Sequence, residues 1–207
     1  MKELSEKTLK EAGLTNVEIA MLKAQRLLVE KKNTRDIGKA RQFSSEHLVQ
    51  SWINNSKTIP FTVKRQDELA EIEDFEHDHN ESGWDLLQLG SSFRLQVKYR
   101  GGNTIHLEQT RRTSTKNQGA ASTSGHVVYS DDEFDVAIII RPPEISYEFN
   151  PKTDILIFPI EELKDPKNSG FLYKNVPKAI INKASARQQN KSCEQILTDL
   201  YNLHNGV

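Results

Sequence analysis

The stretch WDLLQLGSSFRLQVKYR, residues 84 to 100, reads as two strands joined by the short turn GSS, and so as a hairpin. Along the second strand, Leu95, Val97 and Tyr99 point one way, while Arg94, Gln96, Lys98 and Arg100 point the other. Such a polar face usually meets water. Here it lies among apolar runs. FDVAIIIRP (134 to 142) is continuously apolar, as expected of a strand covered on both faces, and TDILIFPIEEL (153 to 163) is a second such strand that ends in a turn. IPFTVKR (59 to 65) precedes the hairpin as a further strand-like run.

Working outward, KARQFSSEHLVQSWIN (39 to 54) predicts a helix. Glu46 falls on the side of Phe43, Val49 and Ile53, and a carboxylate there needs either a partner or a path to water. His47 falls on another face and reads as surface. Residues 1 to 33 are helical and polar, with TNVE at Thr15–Glu18 as a capping box, and SCEQ, opened by Ser192, begins a closing helix that runs to about Leu203. The segment 103 to 128 is rich in Thr, Ser, Gly and Gln and reads as loop or helix. The order is helix, strand, hairpin, loop or helix, strand, strand, helix. It predicts an α/β fold with a mixed central β-sheet flanked by helices over residues 36 to 207, preceded by a helical arm over 1 to 35 that packs on the domain or serves dimerisation.

The chain has 207 residues, 36% of them apolar and 28% charged, enough for one domain with a sizeable core. No apolar run is long enough to span a bilayer, and Cys193 is the single cysteine, which fits a reducing cytoplasm. The net charge of -1 does not announce nucleic acid, but its distribution is uneven. Residues 67 to 85 are acidic, whereas 94 to 116 carry Arg94, Lys98, Arg100, Arg111, Arg112 and Lys116 against Glu108 alone. Charge by itself favours two solvated loops. The tempting EHDHN (76 to 80) lacks a third ligand at zinc-like spacing and also reads as a loop.

The hairpin can bring Asp85 to Gln96 and Lys98, with Glu46 arriving from the preceding helix. Two carboxylates and an amide oxygen suit a hard cation, Mg²⁺ above all, which takes few protein ligands and keeps several waters. Lys98 is no ligand for that ion; an amine there can hold or deprotonate the attacking water and steady phosphate charge. This arrangement resembles the PD-(D/E)xK nuclease superfamily, with Asp85, Gln96 and Lys98 at the motif positions and Glu46 in the place of the helical acid. VVYSDDEFDVAIIIRP also looks like a segment of the superfamily's small endonucleases, among them type II restriction enzymes and intron-encoded homing endonucleases. Trp84 stands where the motif name expects proline. Gln96 stands where it expects an acid, which favours one tightly held ion over two.

The resemblance implies a restriction-endonuclease-like fold and a Mg²⁺-dependent endonuclease that hydrolyses phosphodiesters in double-stranded DNA. Asp85, Gln96, Lys98 and Glu46 would be catalytic, and Asp85, Gln96 and Glu46 would hold the ion. A type II restriction enzyme acting as a homodimer is preferred to a homing enzyme or a structure-selective nuclease such as a junction resolvase. A non-catalytic nucleic-acid-binding protein on the same scaffold is the rival from another class. Arg100, Arg111, Arg112 and Lys116 are candidate phosphate contacts, against the alternative of a flexible polar loop. Asp135 reads as capping or pairing with an arginine, and Tyr129 as core or a phosphate contact.

Overall fold

A computed structural model describes residues 6–11, 13–16, 18, 19, 22, 34–69, 83–100, 104–112, 124–140 and 149–207. Helix α1 is Glu6–Glu11. At the predicted capping box, Thr15 Oγ1 accepts from Glu18 N at 3.3 Å, and Glu18 Oε2 accepts from Thr15 N at 2.8 Å. Helix α2, Thr34–Asn55, leads to a two-residue strand, β1 (Lys64–Arg65), and to the single turn α3 (Gln66–Leu69). The hairpin follows as β2 (Leu86–Gln88) and β3 (Phe93–Tyr99), antiparallel, with Leu86 opposite Leu95. Ser92 takes a left-handed backbone (φ 58°) in the turn, and Gln88 Oε1 accepts from the Ser91 amide and hydroxyl at 2.6 and 2.7 Å.

The chain then forms a separate two-stranded ribbon, β4 (Glu108–Arg112) and β5 (Ser124–Val128). It returns as β6 (Val136–Ile140), which pairs parallel with β3. One turn of helix, α4 (Pro151–Asp154), precedes β7 (Ile155–Pro159), antiparallel to β6. Helices α5 (Lys178–Asn190) and α6 (Cys193–His204) complete the chain. The sheet order is β1-β2-β3-β6-β7, so the fold is α/β with a mixed five-stranded sheet flanked by helices. A parallel pair needs a crossover, and the ribbon lies within it.

Alternation along the strands divides the core in two. Phe93, Leu95 and Val97 of β3, with Val136, Ile138 and Ile140 of β6, pack under α2 (Leu48, Val49, Ile53) and α6 (Ile196, Leu197). On the opposite face, Ala137, Ile139 and Phe158 meet Leu107, Tyr129, Phe134, Leu163, Leu172 and, from α5, Ala184. All five residues of β6 are buried, as a strand covered on both faces requires. Among the described residues no helix is long and apolar enough to cross a membrane.

Four sequence expectations are corrected. Residues 59 to 63 are not strand: Asn54 of α2 takes both backbone groups of Val63, accepting from its N at 2.8 Å and donating to its O at 3.0 Å. The segment 103 to 128 is neither plain loop nor helix, since it contains the ribbon. Helix α5 went unpredicted because its stripe is thin; Ala184 and Gln188 are its buried residues. His47 is buried rather than surface, because Arg65, itself buried, points Nη1 at His47 Nδ1 from 2.6 Å, while Phe43, expected inward, is 41% exposed.

Candidate active site

Antiparallel pairing sets Asp85 directly across from Gln96, one step beyond the Leu86–Leu95 pair, and Asp85 N still donates to Leu95 O at 2.9 Å. Past that point β2 and β3 part. The edge of β3 that faced β2 continues through Val97 and Tyr99, whose backbone groups must find other partners. Side chains supply them. Asp85 Oδ2 accepts from Val97 N at 2.8 Å, Gln42 Nε2 donates to Val97 O at 2.7 Å, and Gln42 Oε1 accepts from Tyr99 N at 2.9 Å. Gln42 of α2 thus stands in for a missing strand residue.

The predicted cluster assembles around this fork. Gln96, 2% exposed, donates from Nε2 to Asp85 Oδ2 and, at 3.0 Å, to Val97 O. Gln42 Nε2, which shares Val97 O, also donates to Glu46 Oε1 at 2.9 Å. Asp85 and Glu46 are therefore each one amide nitrogen away from the same main-chain carbonyl. Lys98, two residues beyond Gln96 on the same face, sends Nζ to Glu108 O at 3.3 Å and lies 4.8 Å from the centre of the Tyr129 ring.

The electrostatics follow from enclosure. Burial pushes the Asp85 carboxyl up to about 6, against the opposing pull of the Lys98 charge and the Val97 N–H. Burial likewise lowers the Lys98 amine, against Asp85, Glu46 and Glu133, which favour its charged form. Both groups are thus held nearer neutrality than in water, an arrangement suited to proton transfer.

The donor set fits a hard cation. Among the described residues no three His, Cys, Asp or Glu side chains group into a metal cage. An ion here would take Asp85, Glu46 and the amide oxygen of Gln96 and complete its shell with water, which is the habit of Mg²⁺. The amide N–H that Gln96 now offers to Asp85 supplies the positive partner that such an ion would supply.

Three site neighbours escaped sequence reading: Gln42, Glu133 and Glu108, the last through its main-chain oxygen. Glu133 Oε1 accepts from Ser130 Oγ at 2.9 Å, and its side chain lies so close over Gly83 that a Cβ on Gly83 would sit 1.9 Å from Glu133 Oε2. Only glycine permits that approach just before Trp84 and Asp85. No spacing rule signals such long-range contacts.

The other candidates take different places. Asp135 pairs with an arginine as expected: its Oδ2 accepts from Arg94 N at 2.7 Å and lies 3.4 Å from Arg94 Nε. Tyr129 is core, 2% exposed, with its ring edge-to-face on Phe134. Arg100 is half-buried at the end of β3, where its backbone N donates to Ile140 O at 2.8 Å. Arg111 and Arg112 lie in β4. The side chains of those two, together with Lys116 and the EHDHN segment, lie outside the described residues. No protein-family model, curated protein or solved structure matches this chain.

Proposed function

We propose that this chain is a Mg²⁺-dependent DNA endonuclease of the PD-(D/E)xK kind, most simply a site-specific type II restriction enzyme. The supporting observation is the fork itself: Asp85 faces Gln96 where two strands part, with the Lys98 amine on the same face and Glu46 reaching the same carbonyl through Gln42. Asp85, Gln96 and Glu46 would hold the ion. When bound, that ion neutralises charge developing on the phosphate and lowers the pKa of a coordinated water. Lys98 orients the attacking water and, because burial weakens its hold on its own proton, can exist as the neutral amine that accepts one. Asp85 supplies the negative charge that draws the cation in. Arg100, Arg111, Arg112 and Lys116 would steady DNA phosphates. One such corner cuts one strand, so a double-strand break calls for a twofold homodimer.

The test is plasmid cleavage. Supercoiled DNA incubated with Mg²⁺ should give discrete linear bands, and EDTA should abolish them. Lys98→Ala and Asp85→Ala should each lose roughly 10³-fold in rate. Smeared or nicked products would favour a structure-selective nuclease. Binding without Mg²⁺-dependent cleavage in any variant would leave a nucleic-acid-binding protein instead.

A further inference from the structure

The Lys98 amine is held from the side of the ribbon, and by parts that cannot easily move. Tyr129 directly follows β5. Its backbone N donates to Leu107 O at 3.5 Å, its O accepts from Leu172 N at 2.9 Å, and its ring packs edge-to-face on Phe134 at 5.5 Å. Glu108 opens β4, paired with Val128 in the adjoining strand, and its carboxylate meets Lys174 Nζ at 2.8 Å. Among the described residues the amine thus meets the Tyr129 ring face, 4.8 Å away, and the Glu108 carbonyl, 3.3 Å away, both at the base of the ribbon. A cation over an aromatic face is attracted by the ring quadrupole, and a carbonyl fixes one of its N–H directions.

We infer that Tyr129 is a positioning residue, its ring and the Glu108 carbonyl together fixing where the Lys98 amine meets the attacking water. This rests on the nuclease reading above. The same clamp ties the amine to the ribbon that carries Arg111, Arg112 and His126 and no acid beyond Glu108. A two-stranded ribbon is of a size that the DNA major groove admits. A long flexible amine needs such restraint, because misplacement by about 1 Å can cost on the order of 10²-fold in rate.

The experiment compares Tyr129→Leu, which keeps bulk and loses the ring, with Tyr129→Phe, which keeps the ring. Single-turnover cleavage of supercoiled plasmid in Mg²⁺ should fall about tenfold in Tyr129→Leu and largely recover in Tyr129→Phe, with plasmid affinity measured in Ca²⁺ unchanged across the set. Competitive acetylation of lysines in the full-length protein, read by peptide mass spectrometry, should show Lys98 reacting several-fold faster in Tyr129→Leu than in Tyr129→Phe, with exposed Lys178 as internal reference. Where the wild type cuts, equal cleavage rates in the two variants would overturn the inference, as would unchanged Lys98 reactivity in any case. A wild-type protein that cuts nothing, yet shows the expected acetylation contrast, would sink the nuclease reading and leave the clamp standing.

Discussion

Strand β3 has two halves with different neighbours. From Phe93 to Leu95 it is hydrogen-bonded to β2 on one side and to Asp135 and β6 on the other. From Gln96 to Tyr99 it keeps β6 but loses β2, and the vacated edge is met by Asp85 and Gln42. The first half is held by backbone and apolar contact, the second by polar side chains from elsewhere in the chain. A strand edge satisfied by side chains gathers Asp85, Gln96 and Gln42 at one place; a strand edge satisfied by another strand does not. Substitutions in the first half should therefore cost stability alone, and those in the second should cost chemistry as well.

The largest effect is expected in the closed half. Phe93, 1% exposed, packs edge-to-face on Phe61 and Tyr201, each at 5.7 Å between ring centres. Phe93→Ala should cost about 3–5 kcal/mol, read by urea unfolding, with cleavage per folded molecule preserved. An equal loss of specific activity would erase the distinction between the halves. Gln42→Ala comes next. It strips partners from Val97 O and Tyr99 N, should cost about 1–3 kcal/mol, and should also slow cleavage, because Glu46 loses its donor.

The smallest effect concerns the Asp85 proton. Its folded pKa of about 6 lies above the ordinary 3.8, so between those values the native state binds more protons than the unfolded chain. This contribution to stability is full below pH 4 and is lost as pH rises through 6. Relative to Asp85→Asn, which carries no titrating group there, the metal-free wild type should lose roughly 4 °C in Tm between pH 4 and pH 7, measured by thermal unfolding in EDTA. A flat difference across that range would mean that the corner is open to water, as the closed half is not.

How far the sequence disclosed this division follows from the range of the contacts involved. The β2–β3 hairpin was legible because turn and alternation are local, and β6 because a strand buried on both faces is apolar throughout. The caps at Thr15 and Ser192 were legible for the same local reason; Ser192 Oγ accepts from Gln195 N at 3.1 Å. Asp85, Gln96 and Lys98 could be grouped because the hairpin register fixes them. The expected strand at 59 to 65 shrank to Lys64–Arg65, since propensity cannot foresee that Asn54 will occupy Val63. The ribbon was missed because Thr, Ser, Gly and Gln show no two-residue alternation. Gln42 and His47 were hidden because their partners, Val97 with Tyr99 and Arg65, lie far along the chain.

The amide at position 96 has a consequence for any attempt to place an acid there. As an amide, Gln96 gives hydrogens both to Asp85 and to Val97 O. Glutamate there would bring two like charges face to face and remove the hydrogen that the carbonyl shares. Such a chain would depend on a cation to assemble its own hairpin mouth, whereas the natural one closes it with the hydrogens of an amide.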